Sequence, residues 1–531
     1  MIALHGYDPS FVEDDYFRSF VRRLNPEFDV PSRVAIEEMC DGIFDEARRD
    51  SFSRITSAPG RVSLAVGIAK TPEEGEVVIY RECHFIDDQW NLHKLVLDAL
   101  VVAGDEERDS MNAPILGVHV FNGEGPYHVK LAISSEHRDR LFMVAYDITF
   151  PSGLKSYIDE DINSDANKLS CTTTTYVDNV LHSIARCLLP DADFTVDMFW
   201  EMKKLNLTRQ ERLQLLSELD LNLEWAFDES WCACYSSLQV LRKRGFTNQL
   251  VGLELCVELL CKVWGQVYRG IQTISASTSP TSNLCLAELL KLREILHSQL
   301  ARVSGDDAEV QERYADYLYH NKELVVVLRE VSDALDKAIQ DSYLIWSVPL
   351  ALDPRYKLGY IEFWFERAFG LEATNYVTEV KNKINKLYAD YIKDYGRITD
   401  ADHSDVANTT VAATSVHPWE QAWNERRRSQ DVMAAQVNRV YPGTQTELDR
   451  YLRGPLAPQD FDVLNWWKEN SGRYPMVARM ARDALAMPTC SKLSSDQLAQ
   501  VRSILRGYSK KPWGDRTFSS SSSSGGGDMI R

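Results

Sequence analysis

The sequence predicts an α/β segment followed by a long all-helical one, and three stretches carry that prediction. Val62, Leu64, Val66 and Ile68 alternate with small or polar residues, the period of a strand. Thr71-Pro72-Glu73-Glu74-Gly75 reads as a turn, and Glu76–Phe85 as the strand that pairs back. From Tyr176 onward the apolar residues recur at helical spacing instead, as in Leu286, Leu289, Leu290, Leu296 and Leu300.

The remaining elements fit around these. Asp8–Asp50 reads mostly helical, with Phe11, Phe17, Phe20 and Val21 as apolar positions. Pro26 and Pro31 interrupt it before a second run from Arg33. Trp90–Val102 reads as a helix, and Leu141–Tyr146 as a strand buried on both faces. Thr208-Arg-Gln-Glu211 is a capping box that opens Leu213–Trp225. Ser494-Ser-Asp-Gln497 is another, before a helix that buries Leu498, Val501 and Leu505. Ser304–Asp307 and Thr399–Ser415 are polar linkers, and Phe518–Gly527 is a flexible Ser/Gly tract.

The 531 residues suffice for several cores, with 44% hydrophobic residues. A formal net charge of −19 opposes non-specific nucleic-acid binding, which rests on Lys and Arg at phosphates. The dense basic run Arg426-Arg427-Arg428 reads as a solvated helix face. Ten cysteines lack zinc spacing: Cys232 and Cys234 are too close, and Cys256 and Cys261 have no His partners downstream. They read as reduced, buried thiols. Met1–Ser10 has no apolar leader, and no long uncharged apolar run spans a bilayer, so a soluble intracellular protein is expected. Phosphate-cradling and nucleophile-elbow motifs are absent; Gly123-Glu-Gly125 is only a loop signal. His84 and His93 lack the spacing of a helical metal pair, and no cofactor is expected.

The carboxy-terminal stretch Glu447–Pro488 is the densest in large apolar groups: Leu464, Trp466, Trp467, Tyr474, Met476, Met480, Leu485 and Met487. Two adjacent tryptophans do not both enter one narrow helical stripe. Either one faces a groove, another domain or another chain, or both fill a corner of one domain.

This stretch resembles the carboxy-terminal dimerisation region of hAT-superfamily transposases, with its D-x-L-x-W-W segment, Tyr-Pro step and A-hydrophobic-P ending. Leu352-Asp-Pro-Arg-Tyr-Lys-Leu358, followed by Tyr360, Ile361 and Phe363, resembles an element of domesticated plant hAT proteins of the sleeper type. Ile2–Arg33 resembles the segment after the BED zinc finger of those proteins, and Cys83–Leu95 their H-F-I-D-x-x-W element. The resemblance implies a degenerate RNase H-like core interrupted by a large all-helical insertion. The expected parts are an amino-terminal helical segment (1–54), the first part of the core (55–185), the insertion (186–445), the dimerisation region with the returning helix of the core (446–510) and a tail (511–531). It further implies a nuclear plant protein whose chain lacks the finger. Homodimers or heterodimers with hAT-like proteins are expected, through Leu464, Trp466, Trp467, Tyr474 and Met476. DNA is expected only weakly or through a partner, possible work lies in transcriptional regulation, and no membrane is involved.

Enzymes of this family cut DNA with metal ions held by three carboxylates, since clustered anionic oxygens are what paired dications need. Against the family pattern, Gly67 stands at the first acid, with Ala69 at the nearby Trp and Lys70 beyond. Asp147 stands at the second, without its Asn and Ser neighbours. Ser495 stands at the third, or Asp496 after a shift of one residue. Thr174 replaces a family His after Cys171; Trp231 and Tyr235 survive from another element, with Trp231 expected to pack. Loss of catalysis is the expectation. The alternative, a divergent metal-dependent transposase or nuclease, requires a third carboxylate such as Asp220 or Glu224.

Overall fold

Asp14 starts the first helix by accepting from Phe17 N at 2.8 Å, just behind a short 3₁₀ helix (Pro9–Glu13). Ser32 does the same for the second, accepting from Ala35 N at 3.2 Å. These are α1 (Asp15–Leu24) and α2 (Arg33–Ser57). The computed structural model describes residues 8–70, 77–102, 140–147, 172–190, 198, 202–219, 221, 230–244, 254–275, 279–304, 324–396, 419–428, 446–494, 497, 498, 500 and 501.

Five strands follow: β1 (Val62–Lys70), β2 (Val77–Ile86), β3 (Leu92–Val102), β4 (Leu141–Tyr146) and β5 (Thr172–Thr175). They form one mixed sheet in the order β3-β2-β1-β4-β5. β2 lies antiparallel to β1 and to β3, while β4 lies parallel to β1 and to β5. Both faces are covered, which explains the unbroken apolar run of β4. Ile55 and Ala58, at the end of α2, pack on Leu64, Val66, Phe85 and Val144. Ala65, Met143 and Ala145, on the other face, join the core of the helical region.

The helix expected over Trp90–Val102 is corrected: this stretch is a hairpin turn and β3. Asp87 Oδ1 accepts from Asn91 N at 2.8 Å, and Trp90 takes φ +66° to reverse the chain. Pairing then runs from Ile86↔Leu92 to Val77↔Val102. The leucine spacing favours a helix locally; the ladder offered by β2 overrides it. The left-handed backbone at Trp90 costs free energy, offset where its ring is buried, stacked on Trp467 at 6.3 Å and under the Arg482 guanidinium at 4.4 Å.

From Val177 the described elements are helices: α3 (Val177–Cys187), α4 (Arg209–Glu218), α5 (Ser230–Arg244), α6 (Glu254–Ile274), α7 (Ser282–Val303), α8 (Leu324–Ala351), α9 (Lys357–Phe369) and α10 (Ala373–Tyr395). A helical stretch over 419–428 and α11 (Glu447–Arg453), α12 (Val463–Asn470) and α13 (Pro475–Leu485) complete them. Both capping boxes are present. Thr208 N donates to Glu211 Oε2 at 2.8 Å and Glu211 N to Thr208 Oγ1 at 3.2 Å. Ser494 N donates to Gln497 Oε1 at 2.7 Å and Gln497 N to Ser494 Oγ at 3.3 Å. Leu286, Leu289, Leu290 and Leu296 are buried as expected, and Cys232, Cys234 and Cys261 are buried free thiols.

The basic run is corrected too. Arg426 pairs with Glu366, and Arg427 is buried, donating to Ala457 O; only Arg428 of the three is exposed. Arg427 therefore ties the 419–428 helix to the chain after α11. Thr71–Gly75, Gly123–Gly125, Asp220, Glu224, Thr399–Ser415, Ser495, Asp496 and the terminal Ser/Gly tract lie outside the described residues.

Candidate functional site

Two of the three family acid positions meet at one corner of the sheet. Val66 is level with Tyr146 across the parallel β1–β4 ladder, and Asp147 N donates to Val66 O at 3.2 Å. Gly67 and Asp147 are therefore side by side, one residue past that pair. Asp147 is buried. Gly67 offers no ligand atom, and its missing side chain leaves room for another. Tyr80, its partner on β2, lies across it: a Cβ built at Gly67 would overlap Tyr80 Oη and Cζ and sit 2.8 Å from Cε1. Tyr80 is itself buried, and its hydroxyl donates to Ser491 O in the chain after α13. Burial pushes its pKa well above the ordinary value, so it stays a neutral donor.

The same chain segment lies along β2. Tyr80, Glu82 and His84 alternate on one face of that strand. Glu82 Oε1 accepts from Gln497 Nε2 at 2.6 Å, and Glu82 Oε2 lies 2.9 Å from His84 Nε2. Burial lowers the His84 pKa despite Glu82, so the ring is neutral near pH 7. Asp178, in the first turn of α3, accepts from Ser491 N at 2.9 Å, Ser491 Oγ at 2.8 Å and Cys490 Sγ at 3.2 Å. Burial raises its pKa, and the Ser491 and Cys490 hydrogen bonds pull the other way. A cleft of about 610 Å³ opens beside this ladder, lined in part by Glu82, His84, Lys94, Cys490, Lys492 and Gln497. Its thiol is not activated, since burial pushes the Cys490 pKa well up. Among the described residues no three His, Cys, Asp or Glu side chains gather as metal ligands. The ladder can hold the returning segment to the sheet. It shows no nucleophile poised by a base.

The second constellation is built on Leu352–Leu358. Leu352 O accepts from Trp467 Nε1 at 3.0 Å, and Pro354 O from Ala457 N at 2.9 Å. Asp353 Oδ2 accepts from Asn283 Nδ2 at 2.6 Å and Arg355 Nη2 at 2.7 Å. Lys357, at φ +52° and 3% exposed, donates its ammonium to Tyr451 O at 2.7 Å and to Gly454 O and Pro455 O, each at 2.9 Å. It thus satisfies the carbonyls that α11 leaves open at its end. Asp353 and Lys357 thus join this loop to α7 and α11, the Leu352 carbonyl joins it to α12, and Arg355 braces it through Asp353.

Four of the five expected interface residues belong to this packing. Leu464, Trp467, Tyr474 and Met476 are all buried within the chain, with Trp467 5.0 Å from Tyr451. Trp466 is half-buried, stacked on Tyr474 at 6.3 Å. The two tryptophans divide the alternatives: Trp467 fills a corner of its own domain, and Trp466 is the one with an outer face. Deeper in, α13 sends Asp483 to Arg61 N at 2.9 Å and to the Tyr391 hydroxyl, where Gly60 leaves room for the carboxylate.

Comparison with known proteins matches residues 447–507 to the hAT family C-terminal dimerisation region and residues 284–391 to the hAT-like transposase, RNase-H fold family. The zinc finger BED domain-containing protein RICESLEEPER 2 of Oryza sativa subsp. japonica is 23% identical, over 92% of this chain and 67% of its own length. DAYSLEEPER of Arabidopsis thaliana, another zinc finger BED domain-containing protein, is 22% identical over the same shares. The chain is similar to hAT-transposase-like proteins over most of its length. The putative AC transposase of Zea mays is 21% identical over 96% of this chain and 62% of its own length. The chain spans about two thirds of the length of these relatives. Its mixed sheet and dominant helices are the α/β plus α organisation of an RNase H-like hAT protein.

In this hAT-like chain, sequence reading singled out Gly67 and Asp147 and missed what surrounds them. Tyr80, Glu82 and Asp178 carried no reading, and His84 was weighed only as half of a helical metal pair. The signal was there in β2, where three polar side chains alternate through an apolar strand. The family pattern did not mark it, because none of the three occupies a family acid position. Trp231 packs as expected, fully buried, donating from Nε1 to His182 Nδ1 at 3.1 Å.

Proposed function

We propose that this hAT-like chain acts by pairing, with a copy of itself or with a hAT-like relative, and does not cut DNA. The observation that carries the second half is Tyr80 lying where a carboxylate at position 67 would project. Tyr176 supports it. Its pKa is raised well above the ordinary value by burial, then by Glu82, Asp178 and Asp147 nearby. The group these three carboxylates share is a phenol, and the described residues offer no convergent ligand set. Of the family acid positions among the described residues, Asp147 alone carries a carboxylate, and one carboxylate at those positions does not hold two dications against their mutual repulsion.

The dimerisation region at 447–507 supports the first half, with Trp466 as its outward aromatic. The relatives' names join BED zinc fingers to chains of this kind, which supports a nuclear place of work and regulation of transcription beside a finger-bearing partner. No described helix is long and apolar enough to cross a membrane. The net charge of −19 supports weak binding to duplex DNA by this chain alone, no tighter than about 10⁻⁴–10⁻⁶ M at physiological salt.

Calorimetry with Mn²⁺ tests inertness: no saturable sub-millimolar site that Asp147→Asn abolishes is expected, and such a site would revive the nuclease alternative. Light scattering tests pairing. Trp466→Ala is expected to weaken the dimer about 30-fold if that tryptophan is worth about 2 kcal/mol. A chain that stays monomeric at tens of micromolar, alone and with hAT-like relatives, counts against pairing.

A further inference from the structure

Four described arginines lie over an aromatic ring and also hold a carboxylate. Arg61 lies over Tyr391 and pairs with Asp394 at 2.9 Å. Arg293 lies over Phe369 and pairs with Asp336 at 2.6 Å. Arg355 lies over Tyr356 and pairs with Asp353 at 2.7 Å, and Arg367 lies over Phe363 and pairs with Glu294. Two arginines of α13 break this pattern. Arg479 lies over the Tyr395 ring at 4.8 Å, and Arg482 over Trp90 at 4.4 Å. Among the described residues neither side chain has an ion pair or a hydrogen bond, and Arg482 Nε is buried without a partner.

The two stand three residues apart and so share one side of α13, both half-buried. Burial lowers the Arg482 pKa; Asp483 opposes that, Arg479 adds to it as a like charge, and Asp87 and Asp88 oppose it. Those carboxylates are engaged elsewhere. Asp483 accepts from Arg61 N and the Tyr391 hydroxyl, Asp87 from Asn91 N, and Asp88 from Gln89 Nε2. Stacking fixes each guanidinium plane and leaves the N–H edge to bond within that plane.

We propose that Arg479 and Arg482 form a site for a phosphomonoester, whose phosphoryl oxygens accept from both forks. Charge selects this class. A carboxylate brings one charge, and in this chain it closes one stacked arginine at a time. A phosphomonoester brings close to two charges and three acceptor oxygens, enough for two guanidiniums. A nucleic-acid backbone is a polyanion and meets the whole net charge of −19, whereas a single phosphoryl group meets only this corner. The site is separate from the degenerate acid positions. Gly60, where a Cβ would lie 3.3 Å from Arg482 Cδ, precedes Gly67 by seven residues, roughly 20 Å of extended chain.

Calorimetry of the full chain with inorganic phosphate, near neutral pH and at low salt, tests the site. One saturable event of about millimolar affinity or tighter is expected. Arg479→Gln and Arg482→Gln should each weaken it at least about tenfold. Arg482→Lys should weaken it too, since it keeps the charge and loses the fork. Without phosphate, Arg479→Gln should melt no earlier than the unsubstituted chain, because it removes a like charge. With phosphate, it should lose the rise in melting temperature that binding gives. Phenyl phosphate and a phosphoserine peptide then name the source. A free ligand is indicated if the first binds at least about tenfold tighter, and a phosphorylated partner if the second does. The inference is overturned by no saturable phosphate binding, by binding that both glutamine variants keep, or by acetate binding as tightly. Duplex DNA that binds through these arginines when phosphate does not also overturns it.

Discussion

The sheet corner and the loop at Leu352–Leu358 both bury polar side chains, but with different outcomes. In the loop, buried charge has complete partners: Lys357 reaches three carbonyls, and Asp353 is held by Asn283 and Arg355. At the corner, buried acids face phenols and amides, and Tyr176 Oη has no hydrogen-bond partner among the described residues. A motif whose residues hold one another keeps its spelling, because each loss leaves a buried group unsatisfied. At the corner no such mutual support is built on Gly67, which has no side chain, and the Tyr80 ring fills the space over it.

This contrast can be broken at its strong end first. Trp467→Ala removes a fully buried ring and the bond to Leu352 O, and should cost about 4 kcal/mol in urea unfolding. Trp466→Ala, at a half-buried ring, should cost well under half as much. Equal losses would erase the distinction between the two tryptophans.

Lys357→Met keeps the side chain's bulk but removes the ammonium from the carbonyls of Gly454 and Pro455, and from Tyr451 O, which keeps only Gly454 N at 3.3 Å. A loss of about 3 kcal/mol is expected, with earlier proteolysis after α11. A loss under about 1 kcal/mol would show that the ammonium is not what holds α11.

Asp483 sharpens the comparison through pH. Burial raises its pKa from 3.8 to about 6, against the pull of Tyr391 and Arg61. A raised carboxyl binds its proton more tightly in the fold than in the unfolded chain. Its contribution to stability is therefore full below pH 4 and falls as pH rises to 6. The swing is about 3 kcal/mol, since each tenfold change in proton affinity is worth about 1.4 kcal/mol. Unfolding measured across that window should lose this slope in Asp483→Asn; an unchanged slope would assign it to other groups.

The smallest effect belongs at the corner. Tyr80→Phe keeps the ring over Gly67 and deletes only the bond to Ser491 O. About 1 kcal/mol is expected, without gain of metal binding. A loss as large as that of Lys357→Met would mean that the corner is braced like the loop.

Much of the fold was legible in the sequence. Alternation located β1 and a continuous apolar run located β4, and both capping boxes closed as spelled, since cap and helix lie within four residues of each other. The resemblance placed Gly67 and Asp147 at one site, and the β1–β4 register sets them side by side. β3 was misread because its leucines carry a helical spacing that only the pairing with β2 overrules.

What the sequence determined alone is local: periodicity, caps, and the absence of a ligand atom at Gly67. Tertiary structure decided the rest. It chose which of two adjacent tryptophans lies inside, since α12 can turn only one ring toward Leu352. It laid Tyr80 over Gly67 and joined Glu82 to Gln497 across 415 residues of chain. Such contacts depend on shape and burial at a point where distant segments meet, and no stretch of sequence holds both partners.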